Sequence, residues 1–334
     1  MTGQPTESPI ESASGMADER VTQLFSLLAD ETRLAIILAL AEASEPLNRE
    51  RWDPTGTNVV PFSELRERVG VEDPGNFNYH LRKLDGEFIQ QTADGYELVS
   101  AGERIVKTVI SIAGFEETAL PETPIDLACP HCGAPTAITH QRQRMYHLCT
   151  ACDGNVFAGD QHPSGVLSGV MLDRAVLRDR SPVEIVLAQY AWKFSTFAMA
   201  LDGVCLLCAG RIEGTLHACG DHETGPNGAC ASCGYSYEVT GQFVCTVCNH
   251  TKLWGIIPLS VIHPAGTAFC WDHGIELTFD GDDLGVLERL FELYGSSTLE
   301  VRSRNPVRVR VTLRDSGDER RLTYDETIDV VEVD

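Results

Sequence analysis

The sequence predicts an α+β protein: an N-terminal winged helix-turn-helix, followed by zinc-ribbon modules and a small α+β C-terminal part. Three observations carry that expectation. Four helical periodicities and then an Asp-Gly hairpin occupy residues 18–116. All the cysteines but Cys270 fall into five C-x2-C pairs and one C-x2-H pair from Cys129 onward. Apolar stretches alternate with Gly and Asp beyond Pro258.

The 334 residues exceed one ordinary core and suit two or three domains of about 100–150 residues. The run Leu34–Ala41 is the longest apolar stretch, far short of the ~20 residues that span a bilayer. The N-terminus lacks a charged-then-apolar signal pattern, so a cytoplasmic location without a membrane partner is expected. Formal charge is −23, and the only lysines are Lys83, Lys107, Lys193 and Lys252. Such a surface repels phosphate and argues against general nucleic-acid affinity. An acid-rich, lysine-poor composition also resembles that of halophilic proteins, from microbes that keep molar salt inside, and there net charge says little about partners.

Residues 1–17 hold almost nothing apolar and cannot offset ordering entropy by burial, which predicts a disordered tail. From Asp18, Val21, Leu24, Leu27 and Leu28 share one helical face, and Leu34, Ile37, Leu38 and Ala41 define a second helix. Pro46, Pro54 and Gly56 mark 45–60 as a loop, with a short strand over Asn58–Phe62. A third helix follows, capped by Ser63, carrying Leu65 and Val69 and ending at Gly70, a residue suited to the left-handed position past a helix end. Asp73 caps a fourth helix with Pro74 at its first position, where a missing N–H costs nothing; Phe77, Leu81 and Leu84 form its buried stripe. Ile89–Val99 predicts two strands around Ala93-Asp94-Gly95, because Asp-Gly favours the positive backbone angles of a tight hairpin. Ser100 and Glu103 match a capping box, and the helix they open carries Ile105, Val106, Val109, Ile110 and Ile112 on more than one face. One face packs inward; the other wants a partner.

Helix, helix, short helix, fourth helix and β-wing make the winged helix-turn-helix plan, in which the fourth helix enters the major groove of double-stranded DNA. With Phe77, Leu81 and Leu84 inward, helical geometry turns Gly75, Asn76, Asn78, Tyr79, Arg82 and Lys83 outward. Asn76, Asn78 and Arg82 are candidates for base edges, since Asn pairs bidentately with adenine and Arg with guanine, and Lys83 is a candidate for phosphate. Residues 60–110 hold six basic against nine acidic side chains. Each neutralised phosphate lowers log affinity by ~0.9 per log unit of salt, so base contacts and fit must carry more of the binding here, and a weak salt dependence is expected. His80, beside the apolar stripe, is read as a core or edge histidine.

Leu28-Ala29-Asp30-Glu31-Thr32-Arg33-Leu34 resembles the opening of ArsR-type winged-helix repressors. Phe77-Asn78-Tyr79-His80-Leu81 and Asp94-Gly95-Tyr96-Glu97-Leu98 resemble their recognition helix and wing in salt-loving archaea. The likeness covers residues 20–115. It implies a homodimer, joined through the first helix and the one after the wing, on a two-fold-related operator. Arsenic- and cadmium-sensing members place thiolates in or near the DNA-binding helices, whereas no cysteine here precedes Cys129, so metal-responsive derepression at that position is not expected.

A linker with Pro121 and Pro124 closes the first domain. Cys129-x2-Cys132 and Cys149-x2-Cys152 have the spacing of two knuckles of a zinc ribbon, placed at 126–157. A scaffold helix without evident chemistry is predicted over 181–203, opened by a Ser181-Pro182-Val183-Glu184 capping box. Residues 204–252 offer Cys205, Cys208, Cys219, His222, Cys230, Cys233, Cys245 and Cys248, enough for two more sites and three structural zinc ions in all. Short loop closure favours joining neighbours, Cys205/Cys208 with Cys219/His222 and Cys230/Cys233 with Cys245/Cys248 around a hairpin turning at Thr240-Gly241. A crossed scheme, Cys205/Cys208 with Cys230/Cys233 and Cys219/His222 with Cys245/Cys248, also remains open. His131, His140 and His147 are read as solvated, His217, His263 and His273 as structural, and Cys270 as a buried apolar thiol. The C-terminal part, 253–334, is expected to hold a helix at Leu284–Tyr294 and strands near Val307–Leu313 and Leu322–Val333.

Four-ligand shells leave no open metal position, and neither a Gly-rich phosphate loop nor a Gly-x-Ser-x-Gly elbow is present. An enzyme is therefore not expected. The sequence points to a DNA-binding transcriptional regulator, its effector or partner protein unspecified. The alternative is a zinc-knuckle interaction module whose winged helix binds protein.

Overall fold

A computed structural model describes residues 20–43, 59–113, 120–141, 143–155, 162–225 and 229–334. The expected tail 1–17, most of the loop 45–60 and part of the linker before Pro121 lie outside them. The chain divides into two units, residues 1–116 and 117–334.

In the first unit, α1 (Arg20–Leu28) and α2 (Glu31–Ala43) precede α3 (Phe62–Val69) and α4 (Pro74–Leu84); β1 (Ile89–Gln91), β2 (Tyr96–Leu98) and α5 (Ser100–Ala113) follow. α2 buries Ile36, Ile37, Ala39 and Leu40. The expected stripe shares only Ile37 with this set, because an unbroken apolar run marks no single face. Pro61, not Ser63, stands before α3 and supplies no side-chain cap. Gly70 ends that helix at φ 75°, its N–H bonded to the Arg66 carbonyl. Asp73 caps α4 as expected, accepting from the N–H groups of Gly75 and Asn76 at 3.2 and 2.8 Å. Phe77, Leu81 and Leu84 are fully buried, contributing about 1.5–3 kcal/mol each.

β1 and β2 pair in register, Ile89 with Leu98 and Gln91 with Tyr96. The turn between them does not use the expected positive angles, since neither Asp94 nor Gly95 has φ above zero. The Thr92 hydroxyl accepts from both of their N–H groups instead. Gly95 is needed for space: a Cβ there would lie 2.2 Å from the Val60 carbonyl oxygen. Of the strand expected over Asn58–Phe62, Asn58 lies outside the described residues and the rest forms one bridge, Val60 with Tyr96. Ser100 is the first residue of α5, the Glu103 N–H bonding the Val99 carbonyl, so the helix starts one residue earlier than a cap at Ser100 requires.

Among the described residues, the second unit holds three antiparallel sheets: β3 (Leu120–Ala128) to β6, β7 to β9, and β10 to β13, each in sequence order. β3 contains Pro121 and Pro124, where a linker was expected. It is an edge strand with register shifts, a place where a missing N–H costs no ladder bond. β4 (Pro135–Gln141) and β5 (Arg144–Cys149) are buried along almost their whole length, and β6 (Val166–Met171) completes the sheet. α6 (Pro182–Leu201) opens with the predicted capping box: Ser181 Oγ accepts from Glu184 N and Glu184 Oε2 accepts from Ser181 N. It packs on β3 and on β7 (Ile212–Ala218).

β7 pairs with β8 (Val239–Cys245), and β8 with β9 (Thr251–Gly255). Thr240-Gly241 is therefore mid-strand in the central strand and not a turn. Gly214 and Gly241 leave room for the Ile328 side chain, whose Cδ1 would stand 3.0 and 3.1 Å from a Cβ at either position. α7 (Ile256–Ile262) and α8 (Pro264–Asp272), which the sequence pattern did not signal, lead to α9 (Gly285–Ser296). The final sheet has four strands: β10 (Thr298–Arg304), β11 (Val307–Asp315), β12 (Asp318–Tyr324) and β13 (Val330–Val333). The single strand expected over Leu322–Val333 is in fact two, reversed at Asp325–Asp329. One core runs from Ile125 through α6 and the helices to Ile328, so the four segments distinguished in the sequence pack as one body.

Candidate functional site

Among the described residues, three ligand clusters form in the second unit, with all ligand atoms of each within 4.8 Å of one another. The first joins Cys129, Cys132, Cys149 and Cys152. Gly133, at φ 73°, returns the chain after Cys132 so that its N–H bonds the Cys129 carbonyl. The N–H groups of Ala151 and Cys152 both point at Cys149 Sγ from 3.3 Å.

The second cluster joins Cys205, Cys208, Cys245 and Cys248, and the third Cys219, His222, Cys230 and Cys233. Neither the neighbour pairing nor the crossed pairing is realised. The sites are nested, one at each end of the β7–β8 ladder. Ile212 pairs with Cys245 at one end, which brings the knuckles flanking the strands together. Ala218 pairs with Val239 at the other, so both remaining ligand pairs lie in the connection between the strands.

Sulfur–sulfur separations are 3.7 and 3.5 Å in the first cluster and again 3.7 and 3.5 Å in the second. A tetrahedral ion with ~2.3 Å bonds to sulfur sets ligands about 3.8 Å apart, whereas a disulfide needs ~2.05 Å. In the third cluster His222 Nδ1 lies 3.6 Å from Cys233 Sγ. Backbone donors favour the thiolate form at some ligands, whereas burial pushes Cys129 and Cys248 up to about 12. Burial opposes ionisation of Cys245, yet the N–H groups of Cys248 and Val247 bring it down to about 7. Cys230 falls to about 6, chiefly through the N–H of Cys233. The donor sets fit metal ions, and each cluster supplies four protein ligands.

Two histidines outside the clusters depart from expectation. His140 and His147 are buried, not solvated, because the strands carrying them are covered on both faces. His140 bonds the Leu172 carbonyl and His147 the Tyr190 hydroxyl, while His131 bonds Asn155. Burial holds His147 down at about 3. His217 pairs with Gln242, and His263 caps α8. Cys270 is fully buried, and burial pushes its thiol up to about 12. α6 is more than an apolar scaffold, for it buries Gln189, Lys193 and Thr196. The available signal was their spacing along a stripe otherwise made of apolar residues.

In the first unit, α4 turns Gly75, Asn76, Tyr79, Arg82 and Lys83 to solvent, while Asn78 is half-buried. Lys83 Nζ stands 5.7 Å from the Tyr79 ring centroid. His80 is buried, with Nδ1 3.4 Å from Asp30.

Two family models match, both without an assigned role. One, described as Domain of unknown function (DUF7347), covers residues 21–109; the other, Domain of unknown function (DUF7351), covers residues 126–330, more than half of the chain. The chain belongs to the DUF7351 family. All three ligand clusters and both buried histidines of the first sheet lie within the DUF7351 region. No curated protein and no solved structure matches the chain. Among the described residues no helix is long and apolar enough to cross a membrane.

Proposed function

We propose that the chain is a sequence-specific DNA-binding transcriptional regulator of the ArsR-like winged-helix kind, working in the cytoplasm as a homodimer and holding three structural zinc ions. The solvent face of α4 carries the reading. Asn76, Tyr79, Arg82 and Lys83 stand together on a helix whose opposite face is anchored by Phe77, Leu81 and Leu84. Amide, guanidinium and phenol groups supply base-edge and phosphate contacts, and the β1–β2 hairpin takes the part of the wing. Exposed Phe25 on α1 and Ile110 on α5 support dimerisation through those helices.

Zinc is the ion proposed, because thiolate-rich tetrahedral shells suit it. Closed four-ligand shells make its role stabilising and not catalytic. The acidic balance of residues 60–110 favours a second reading, in which the first unit binds protein. Crosslinking and sequencing of bound DNA at native salt decides between them, using tagged wild type and an Asn76→Ala/Arg82→Ala variant. Discrete palindromic peaks lost in the variant are expected; no enrichment in wild type would sink the DNA reading.

A further inference from the structure

Two of the chain's four lysines, buried Lys193 and half-buried Lys252, meet the same aromatic cluster, and Lys252 lies on the strand next to Cys245. Lys193 projects from the buried face of α6, its Nζ donating to Ser168 Oγ at 3.2 Å and lying 4.3 Å from the centroid of the Trp254 ring. Lys252 lies on β9 opposite Phe243 of β8, two residues before Cys245. Its Nζ donates to Thr196 Oγ1 at 2.8 Å and stands 4.8 Å from the Phe197 ring centroid. Neither ammonium has a carboxylate partner among the described residues; hydroxyls and aromatic faces are what they touch.

A buried cation without a counter-ion is costly, so such groups are paired or give up their charge. Burial, together with the charge of Lys252, lowers Lys193 to about 7. Burial also lowers Lys252 to about 8, an effect opposed by negative charge at Cys205. Four thiolates around a divalent ion leave a doubly negative centre. An ammonium at Lys252 offsets part of that charge, and the charge of the centre in turn holds the proton on Lys252.

We propose that Lys252, seconded by Lys193, is the built-in counter-charge of the Cys205/Cys208/Cys245/Cys248 centre and selects a divalent ion held by four thiolates there. The inference rests on reading the clusters as metal centres. It makes the ion and Lys252 mutually stabilising: without the ion the lysines more readily give up their charge, and without the lysines less positive charge offsets the tetrathiolate centre. Met replaces either lysine at similar length, with no charge.

The test loads the full chain with zinc and titrates it with a chromophoric chelator, counting ions retained by elemental analysis. Wild type is expected to hold three. In Lys193→Met/Lys252→Met one ion should transfer at tenfold or more lower chelator concentration while the other two behave as in wild type. Adding Cys205→Ser/Cys248→Ser to that variant should release no further ion. An unchanged titration, or equal weakening of all three ions, overturns the proposal. If the double variant is insoluble, Lys252→Arg and Lys252→Gln carry the test: Arg must hold the ion and Gln must release it early, and like behaviour of the two overturns it. Wild type holding no ion would overturn the metal reading itself, a result distinct from three ions indifferent to the lysines.

Discussion

Ile212 lies directly opposite Cys245 in the β7–β8 ladder, and that register decides which cysteines share a cluster. Nesting has a stoichiometric consequence. Cys205→Ser/Cys248→Ser damages one centre and should leave two tightly held ions, whereas Cys205→Ser/Cys230→Ser damages two and should leave one. Neighbour pairing reverses the first result alone, and crossed pairing reverses both. Elemental analysis after dialysis against a chelator reads the difference.

Gly95 approaches the Val60 carbonyl so closely that no side chain fits. In Gly95→Ala the 2.2 Å contact must be relieved by parting Val60 from Tyr96, whose two backbone bonds of 2.8 and 2.9 Å tie the hairpin to the helices. Overpacking of this kind costs about 1–3 kcal/mol. A lower urea midpoint for the first unit is expected, with the metal content unchanged; an unaltered midpoint would show that the hairpin moves freely.

Many local signals were legible in the sequence, though the caps expected at Ser63 and Ser100 and the positive angles expected at Asp94-Gly95 did not form; signals set by distant partners were not legible. Asp73-Pro74, Gly70 and Ser181-x-x-Glu184 act within one helical turn, so their roles follow from neighbouring residues. The C-x2-C spacings likewise identify knuckles, since each knuckle is one tight turn. Pairing the knuckles requires the register of β7 on β8, and Thr240-Gly241 imitates a turn because the closeness of Ile328 cannot be seen in sequence. The burial of His140 and His147, and the lysines on either side of the α6–β9 contact, depend on layers that meet only in the folded chain. Pro121 and Pro124 suggest a linker until β3 is known to be an edge.

Ile328 is a buried β-branched residue at φ 69°, a conformation that costs of order 1–3 kcal/mol. The turn holds it there: Asp325 accepts from the N–H groups of Thr327 and Asp329 and pairs with Arg308. The compensation is its side chain, seated over Gly214 and Gly241. Ile328→Ala keeps the backbone cost and loses the packing, so a loss of about 2–5 kcal/mol is expected in denaturant unfolding of the second unit. Ile328→Gly should lose less than the difference in side-chain size implies, because glycine adopts this φ freely. Glycine proving the worse of the two would refute strain at this position.

His273 ends α8 and donates from Nδ1 to the Phe269 carbonyl at 2.8 Å, with Nε2 3.2 Å from Asp318. The carbonyl bond raises its pKa above the ordinary 6.5, and the Asp318 carboxylate, with the charge of Asp315, adds to the effect. The folded state therefore holds this proton more tightly than the unfolded state does. The stabilisation is complete below about pH 6.5 and disappears as pH rises through the folded value. NMR titration should place His273 above 6.5, and Asp318→Asn should lower it while leaving the Phe269 bond in place. His273→Phe should be less stable than wild type at pH 6, with the gap narrowing by pH 9; a gap constant across that range would mean that the ring contributes through packing alone.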